Sequence, residues 1–407
     1  MGDPGFKAAG YPWRLYCGAR VIEQGLGEAV ERAGARRAFV ICSPSVNRGG
    51  DTVERIAAVL GERFGGVFDG IEKDSTFVSV QAACAAAARV GAGGADLLIA
   101  VGGGSVIVAV RAVAIFLAER RDPLALMTQY PEGRPAFSPR LLAAKLPIIN
   151  IPTTPTSAMN RAGTGLKNPA LDHRMEYFDP KTRPQAIFLD DDVLLSAPPE
   201  VIRSTATTVF ASSVAAMGQV ERNPLAAGDR DQAFRLAHRA YLRLMGELDN
   251  PALRVELGLA AFLQNRGEDD GASRFRGGAF SGDYAISTAL HVLYPHVGQG
   301  EATSVLHATG IRVADTIEPG AARQVAEALG VWRSGMATRD AALAAADALE
   351  AIYVRVGVPV QLRTLGIPRD DLPLIAQMTV KNFNANAGAR APEVRIAAAL
   401  RLLEAAY

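Results

Sequence analysis

Cysteine is scarce. The 407 residues carry three, Cys17, Cys42 and Cys84, an odd number without CxxC spacing in apolar contexts. That excludes a disulfide framework and reads as buried thiols in a reducing compartment. Long apolar runs are missing too: no stretch of 18 apolar residues occurs, so a membrane-spanning helix is not expected. The opening MGDPGFKAAGYPW has no basic stretch followed by an apolar core, as a secretory signal would, and Phe6 breaks the myristoylation pattern. Nor is there an excess of charge. Forty-three cationic and 42 anionic side chains are interspersed to a net +1, which argues against nucleic acid and against an anionic membrane surface. Repeats and low-complexity tails are absent. A cytoplasmic protein that handles a small molecule is the expectation.

What is present is apolar and long. A chain of 407 residues, 49% hydrophobic with mean hydropathy +0.11, is too large for a single typical core, so two domains are expected. In the first half, short apolar runs alternate with Ala-rich helical stretches. Strands are predicted over 37–42, 67–70, 95–101, 146–151 and 185–189, with helices over 53–64, 78–90 and 106–120. Uniformly apolar strands between helices predict a parallel sheet covered on both faces, a doubly wound α/β layout. Past Asp190-Asp191-Asp192 the strand signal stops. Pro198-Pro199-Glu200 starts a helix with proline in its first turn, and helical pattern continues to Tyr407. The domains are therefore placed at 1–192, α/β, and 193–407, all α.

The strongest chemical signal is Gly102-Gly103-Gly104-Ser105 between a strand and a helix. Glycines let backbone approach a pyrophosphate, and the free N–H groups of a helix start point at the anion. Three glycines also suit an ordinary tight turn, and this is not the GxGxxG fingerprint.

The segment GGGSVIVAVRAVA resembles the GGGS-x-x-D-x-x-K segment of iron-containing alcohol dehydrogenases, IINIPTTPTSAMN resembles their IPTT segment, and FLDDDVLLSAPPEV resembles their entry into the helical domain. Within that superfamily the chain looks most like maleylacetate reductases, whose DP-x-x-x-P-x-x-x-x-x-D run is matched by Asp179-Pro180 through Asp190. The resemblance implies a Rossmann-like N-terminal domain, an all-α C-terminal domain as in dehydroquinate synthase-like folds, and an NAD(P)(H) site, with either NAD or NADP as cofactor. It puts the pyrophosphate on Gly102, Gly103, Gly104 and Ser105, and makes Thr153 and Thr154 line the adenine and nicotinamide side. Ser43 takes the place of an Asp on the adenine ribose, and Arg174 that of a Lys near the nicotinamide ribose; a solvated loop cation is the other reading of Arg174.

Metal-dependent members of that superfamily hold Fe²⁺ or Zn²⁺ with an Asp and a His four apart, a third His, and a His in a PHG turn. Those positions fall here on Thr208, Ser212, Ser287 and Gln299, and no metal is expected. Glu301 and His296 are the candidates for a displaced ligand. His291 matches a His one turn beyond the third ligand, where an imidazole can relay a proton; His296 is its backup, and a core histidine bonded to backbone is the other reading. His173, His238 and His307 read as surface or packing residues. Arg161, Arg274, Arg276 and Lys381, the last in the run Lys381-Asn382-Phe383-Asn384, are the cations that could grip a substrate carboxylate or phosphate. The expected activity is a metal-independent reduction of a small carbonyl or oxo-acid, with a homodimer as the assembly. The alternative is a non-redox lyase or cyclase, or a nucleotide-binding scaffold, on the same fold.

Overall fold

The computed structural model describes residues 6–220, 223–269, 278–382 and 391–407. Arg274, Arg276, Phe383 and Asn384 lie outside the described residues. The chain forms two compact units, one made of Tyr11–Pro198 with Asp249–Gly258, the other built on Pro199–Leu248 and Leu259–Tyr407.

The first unit runs β1 (Arg14–Gly18), α1 (Val21–Arg32), β2 (Ala38–Cys42), α2 (Pro44–Arg48), α3 (Thr52–Leu60), β3 (Phe64–Phe68), α4 (Phe77–Ala88), β4 (Leu97–Gly102), α5 (Gly104–Glu119), α6 (Pro123–Leu126), β5 (Ile148–Pro152), β6 (Gly163–Leu166), β7 (Met175–Phe178), β8 (Ala186–Asp190) and α7 (Asp191–Leu195). Six strands form a parallel sheet in the order β1-β8-β5-β4-β2-β3. Every residue of β2, β4, β5 and β8 is buried, because alternate side chains enter two separate apolar layers. Leu98, Ala100 and Ile148 pack with Val106, Ile107 and Val110 of α5. Leu97, Ile99 and Ile149 pack with Ile22 and Leu26 of α1 and Ile56 of α3. Each wholly buried aliphatic side chain there contributes about 1.5–3 kcal/mol of transfer free energy.

The edges depart from what the pattern predicts. β1, RLYCG, was not expected, and neither was the antiparallel pair β6–β7. As an edge strand paired with β8, β1 turns one face to solvent and leaves Cys17 exposed. The expectation of three buried thiols therefore fails at Cys17. Cys42 is buried and Cys84 partly so, and burial pushes both thiols up to about 12.

The second unit contains α8 (Pro199–Met217), α9 (Pro224–Leu244), the C-terminal part of α10 (Pro251–Asp269), α11 (Tyr284–Leu293), α12 (Gln299–Val313), α13 (Pro319–Ala328), α14 (Thr338–Val356), α15 (Leu372–Met378) and α16 (Pro392–Ala406). Its core includes Phe210, which stacks on Tyr241 at 4.7 Å and meets Tyr353 edge-on at 6.0 Å. His238 stacks between Phe210 and Phe234, a packing role. No helix among the described residues is long and apolar enough to cross a membrane.

His307 is wholly buried in this unit. Its Nε2 lies 3.0 Å from the Phe280 carbonyl and its Nδ1 2.7 Å from the Tyr353 hydroxyl. The carbonyl can only accept, so Nε2 carries the proton and Nδ1 accepts from the tyrosine. Burial lowers its pKa to about 4, below the usual value of about 6.5 in an unfolded chain. Between those values the unfolded chain binds more protons than the native one, so this contribution is complete above about pH 6.5 and is lost as pH falls towards 4. Roughly 3 kcal/mol is at stake. Urea unfolding at pH 7 and pH 4.5 is expected to show a flatter pH dependence in a His307→Phe variant than in the wild type; equal slopes would remove His307 as the cause.

Candidate active site

In the α/β unit the glycine loop is built by the end of β4 and the start of α5. Gly102 sits at φ +154°, and a Cβ there would come within 2.6 Å of Val106 Cγ2. Gly103 is the N-cap of α5 at φ −76°, ψ −167°. Its carbonyl accepts from Val106 N and Ile107 N, while the first N–H groups of a helix have no intrahelical acceptor. A Cβ on Gly103 would lie 3.4 Å from Thr154 Oγ1, and one on Gly104 3.1 Å from Thr156 Oγ1. Thr153 N donates to Gly102 O at 3.1 Å, which ties the threonine segment after β5 to the loop. Thr153 and Thr154 are both buried, and Thr154 Oγ1 has no hydrogen-bond partner among the described residues.

The structure thus brings Gly102, Gly103, Gly104, Thr153 and Thr154 together. Ser105 is there too, but its hydroxyl accepts from Asp74 N at 3.1 Å and its carbonyl accepts from Ser75 Oγ at 2.6 Å. Asp74 and Ser75 hold φ of 66° and 54°, unusual for residues with a Cβ and a mark of strain stored where backbone is forced into place. Sequence reading missed this brace, since nothing in EKDST announces left-handed backbone. Ser43 holds the N-cap position of α2 after β2, its hydroxyl 3.0 Å from Ser45 Oγ and not on a helix N–H. Asn47, one turn on, donates to Asp69 just past β3 at 3.0 Å. Arg174 is half-buried just before β7, its Cδ 3.5 Å from where a Cβ on Gly165 would stand. Arg161 follows the threonine segment in the same unit.

In the helical unit, Thr208 and Ser212 lie four residues apart on α8. The Thr208 hydroxyl donates to Thr205 O at 2.6 Å. Gln299 is the first residue of α12, and its Nε2 donates at 2.8 Å to Ser287 Oγ, which itself donates to Tyr284 O. Ser204, one turn before Thr208, donates to Glu301 Oε2 at 2.6 Å and accepts from Gly300 N at 3.2 Å. A Cβ on Gly300 would lie 2.2 Å from Ser204 O, so only glycine permits this approach of α12 to α8. Among the described residues no group of three or more His, Cys, Asp or Glu could hold a metal ion.

His291 is buried on α11, and its Nδ1 lies 2.8 Å from Val297 O. A carbonyl accepts only, so Nδ1 bears a proton and Nε2 is the other ring nitrogen. His291 is thus a core histidine anchored to backbone through Nδ1, and a proton relay would have to act through Nε2. His296 does not turn inward. Its ring is exposed and its Nε2 contacts Leu365 O at 2.9 Å, so the loop holds it against the 362–365 turn. Glu301 is engaged by Ser204. His173 pairs with Asp172 and stands edge-on to Tyr130.

The family model described as "Iron-containing alcohol dehydrogenase" matches residues 12–191, and "Fe-containing alcohol dehydrogenase family, C-terminal" matches 217–407. A lactaldehyde reductase of Escherichia coli (strain K12) is 26% identical over 308 residues, 70% of each chain. A maleylacetate reductase of Burkholderia cepacia is 26% identical over 382 residues, 91% of this chain and 89% of the other. The solved alcohol dehydrogenase from Oenococcus oeni superposes with a TM-score of 0.81 at 20% identity, covering 99% of this chain and 100% of its own.

Proposed function

Because the chain belongs to the iron-containing alcohol dehydrogenase family, we propose that it is an NAD(P)(H)-dependent oxidoreductase that reduces a small carbonyl or oxo-acid without a metal ion. The observation that carries this reading is the contrast between the two sites. In the α/β unit, a helix start without side chains, backed by the orphaned Thr154 hydroxyl, fits a pyrophosphate. In the helical unit, Thr208, Ser212, Ser287 and Gln299 offer neutral hydroxyls and an amide, already engaged at Thr208, Ser287 and Gln299. A divalent transition metal needs about three or four imidazole, thiolate or carboxylate donors, so this set does not fit one.

A bound nicotinamide supplies the hydride. The chain's own part is to seat the diphosphate on the N–H groups of Gly103, Gly104 and Ser105, to hold Thr153 and Thr154 against the loop, and to deliver a proton. With no Lewis acid to polarise a carbonyl, that proton comes from Nε2 of His291, which donates as the imidazolium and is left as the neutral ring with its Nδ1 proton still on Val297 O. Arg174 and Ser43 take the ribose positions. With Ser43 in place of a carboxylate, nothing at that position repels the 2′-phosphate of NADP, and the site accepts either nucleotide.

Fluorescence titration with NADH and NADPH, followed by turnover of a panel of aldehydes and 2-oxo-acids, tests this reading. Failure of both nucleotides to bind at about millimolar concentration would end it, and binding without any turnover would favour the scaffold alternative. A His291→Gln variant keeps a donor for Val297 O but cannot carry a proton. It is expected to lose about 10²–10⁴-fold in kcat with little change in KM; wild-type turnover would leave His291 a purely structural role.

A further inference from the structure

Arg111, in the middle of α5, is among the largest wholly buried side chains, at 1% exposure. Its Nη1 donates to Gly163 O at 2.7 Å, and its Nε and Nη2 have no hydrogen-bond partner among the described residues. Guanidinium stays charged even in an interior. Burial, with Arg161 and Arg183 close enough to repel it, pushes its pKa down to about 9, still above neutral pH. Interior carboxylates of the unit already have cations: Asp190 is held by Arg55 at 3.1 Å, and Glu119 and Asp179 by Lys145 at 2.7 and 3.0 Å.

A second orphan lies on the same side of the sheet. Asn150 of β5 alternates with Ile148, whose side chain packs in the layer of α5. Its Nδ2 donates to Met159 O at 2.7 Å, while its Oδ1, also wholly buried, has no partner among the described residues. Asn150 and Arg111 therefore grip the two ends of one segment, Met159 through Gly163, and each keeps unused polar capacity in the layer beneath it. Buried polar groups are almost always satisfied, and a cation is the costliest to leave alone.

We propose that Arg111 is the anchor of a buried carboxylate site in the α/β unit, with Nε and Nη2 donating side by side to the two oxygens of one small carboxylate. That pair of N–H groups matches carboxylate geometry. Asn150 Oδ1 would accept a hydrogen bond from a hydroxyl or water beside the bound group. The anchor stands seven residues after Gly104, about 10 Å along the helix that begins at the glycine loop. The carboxylate comes either from the reacting oxo-acid or from a free anion.

Thermal unfolding of the full chain in sodium acetate, and separately in sodium pyruvate, tests this, each against sodium chloride at equal ionic strength. A carboxylate at a hundred times its Kd is expected to raise Tm by about 3 °C, and the midpoint should shift at least about tenfold higher in R111K, which keeps the charge without the fork. R111M should abolish the effect; if that variant does not fold, R111K decides alone. Pyruvate acting at a tenth or less of the acetate concentration assigns the site to the oxo-acid, and acetate acting equally or better assigns it to a free anion. No stabilisation beyond chloride, or the same stabilisation in R111K, overturns the site. No nucleotide enters the measurement, so the result is independent of the redox reading.

Discussion

A variant carrying Thr208→Asp, Ser212→His, Ser287→His and Gln299→His is expected to bind zinc at least about 10³-fold more tightly than the wild type, roughly 4 kcal/mol. Part of the geometry for it is already present. Residues four apart on a helix share a face, which puts positions 208 and 212 side by side on α8. The 2.8 Å bond from Gln299 to Ser287 shows that the α11 and α12 positions meet. Ser204 bonds Gly300 next to Gln299, which brings the turn of α8 just before Thr208 to the start of α12. On the proposed metal-free reading, chemistry is what these positions lack. A half-graft with Asp and His on α8 alone offers two donors and should bind weakly. Metal content after dialysis checks both, and chelator treatment of the wild type should leave its turnover unchanged. Stoichiometric iron or zinc in the purified wild type, or a folded quadruple variant that binds none, would overturn the metal-free reading.

The central sheet was legible because its strands are buried on both faces and so are written as unbroken apolar runs: AFVIC, LLIAVG, IINIP and AIFLD. β1 escaped notice for the opposite reason. An edge strand needs an apolar face only on one side, and RLYCG carries Arg14 and an outward Cys17. The β6–β7 pair is four residues a side with glycines in one strand, too short for a period to register. Within the candidate site, the glycine loop could be read directly, since it depends on residue type at a fixed spacing, whereas the four positions on α8, α11 and α12 came only from the family resemblance. A core histidine bonded to backbone was one reading of His291, but its partner could not be read: it depends on the 294–298 turn folding back so that Val297 O meets Nδ1, a contact made by backbone that any sequence presents. The same turn carries His296 outward to Leu365 O. Arg111 stood in plain view at the position of a family Lys, yet only the packing shows a guanidinium with two donors unspent.

Two substitutions in the glycine loop are expected to separate folding from binding. Gly102 holds φ +154°, where any Cβ is strained, and the added carbon of Gly102→Ala would stand 2.6 Å from Val106 Cγ2 and 2.9 Å from its Cβ. Relief requires the 102–103 peptide to turn, which pulls Gly102 O away from Thr153 N. A loss of about 2–4 kcal/mol follows from backbone strain and overpacking together, read as a fall of about 2–4 °C in Tm for a chain this size, with nucleotide affinity falling as well. Gly103 holds ordinary φ, so Gly103→Val strains nothing in the backbone. Its Cβ is already 3.4 Å from Thr154 Oγ1, and two further methyl groups must occupy space beside the N–H groups that face the anion. Tm should therefore change less than in Gly102→Ala, while NADH affinity drops at least about tenfold, some 1.4 kcal/mol. Fluorescence titration and thermal unfolding on the same preparations give both numbers. If Gly103→Val binds NADH as the wild type does, the diphosphate does not sit on the start of α5.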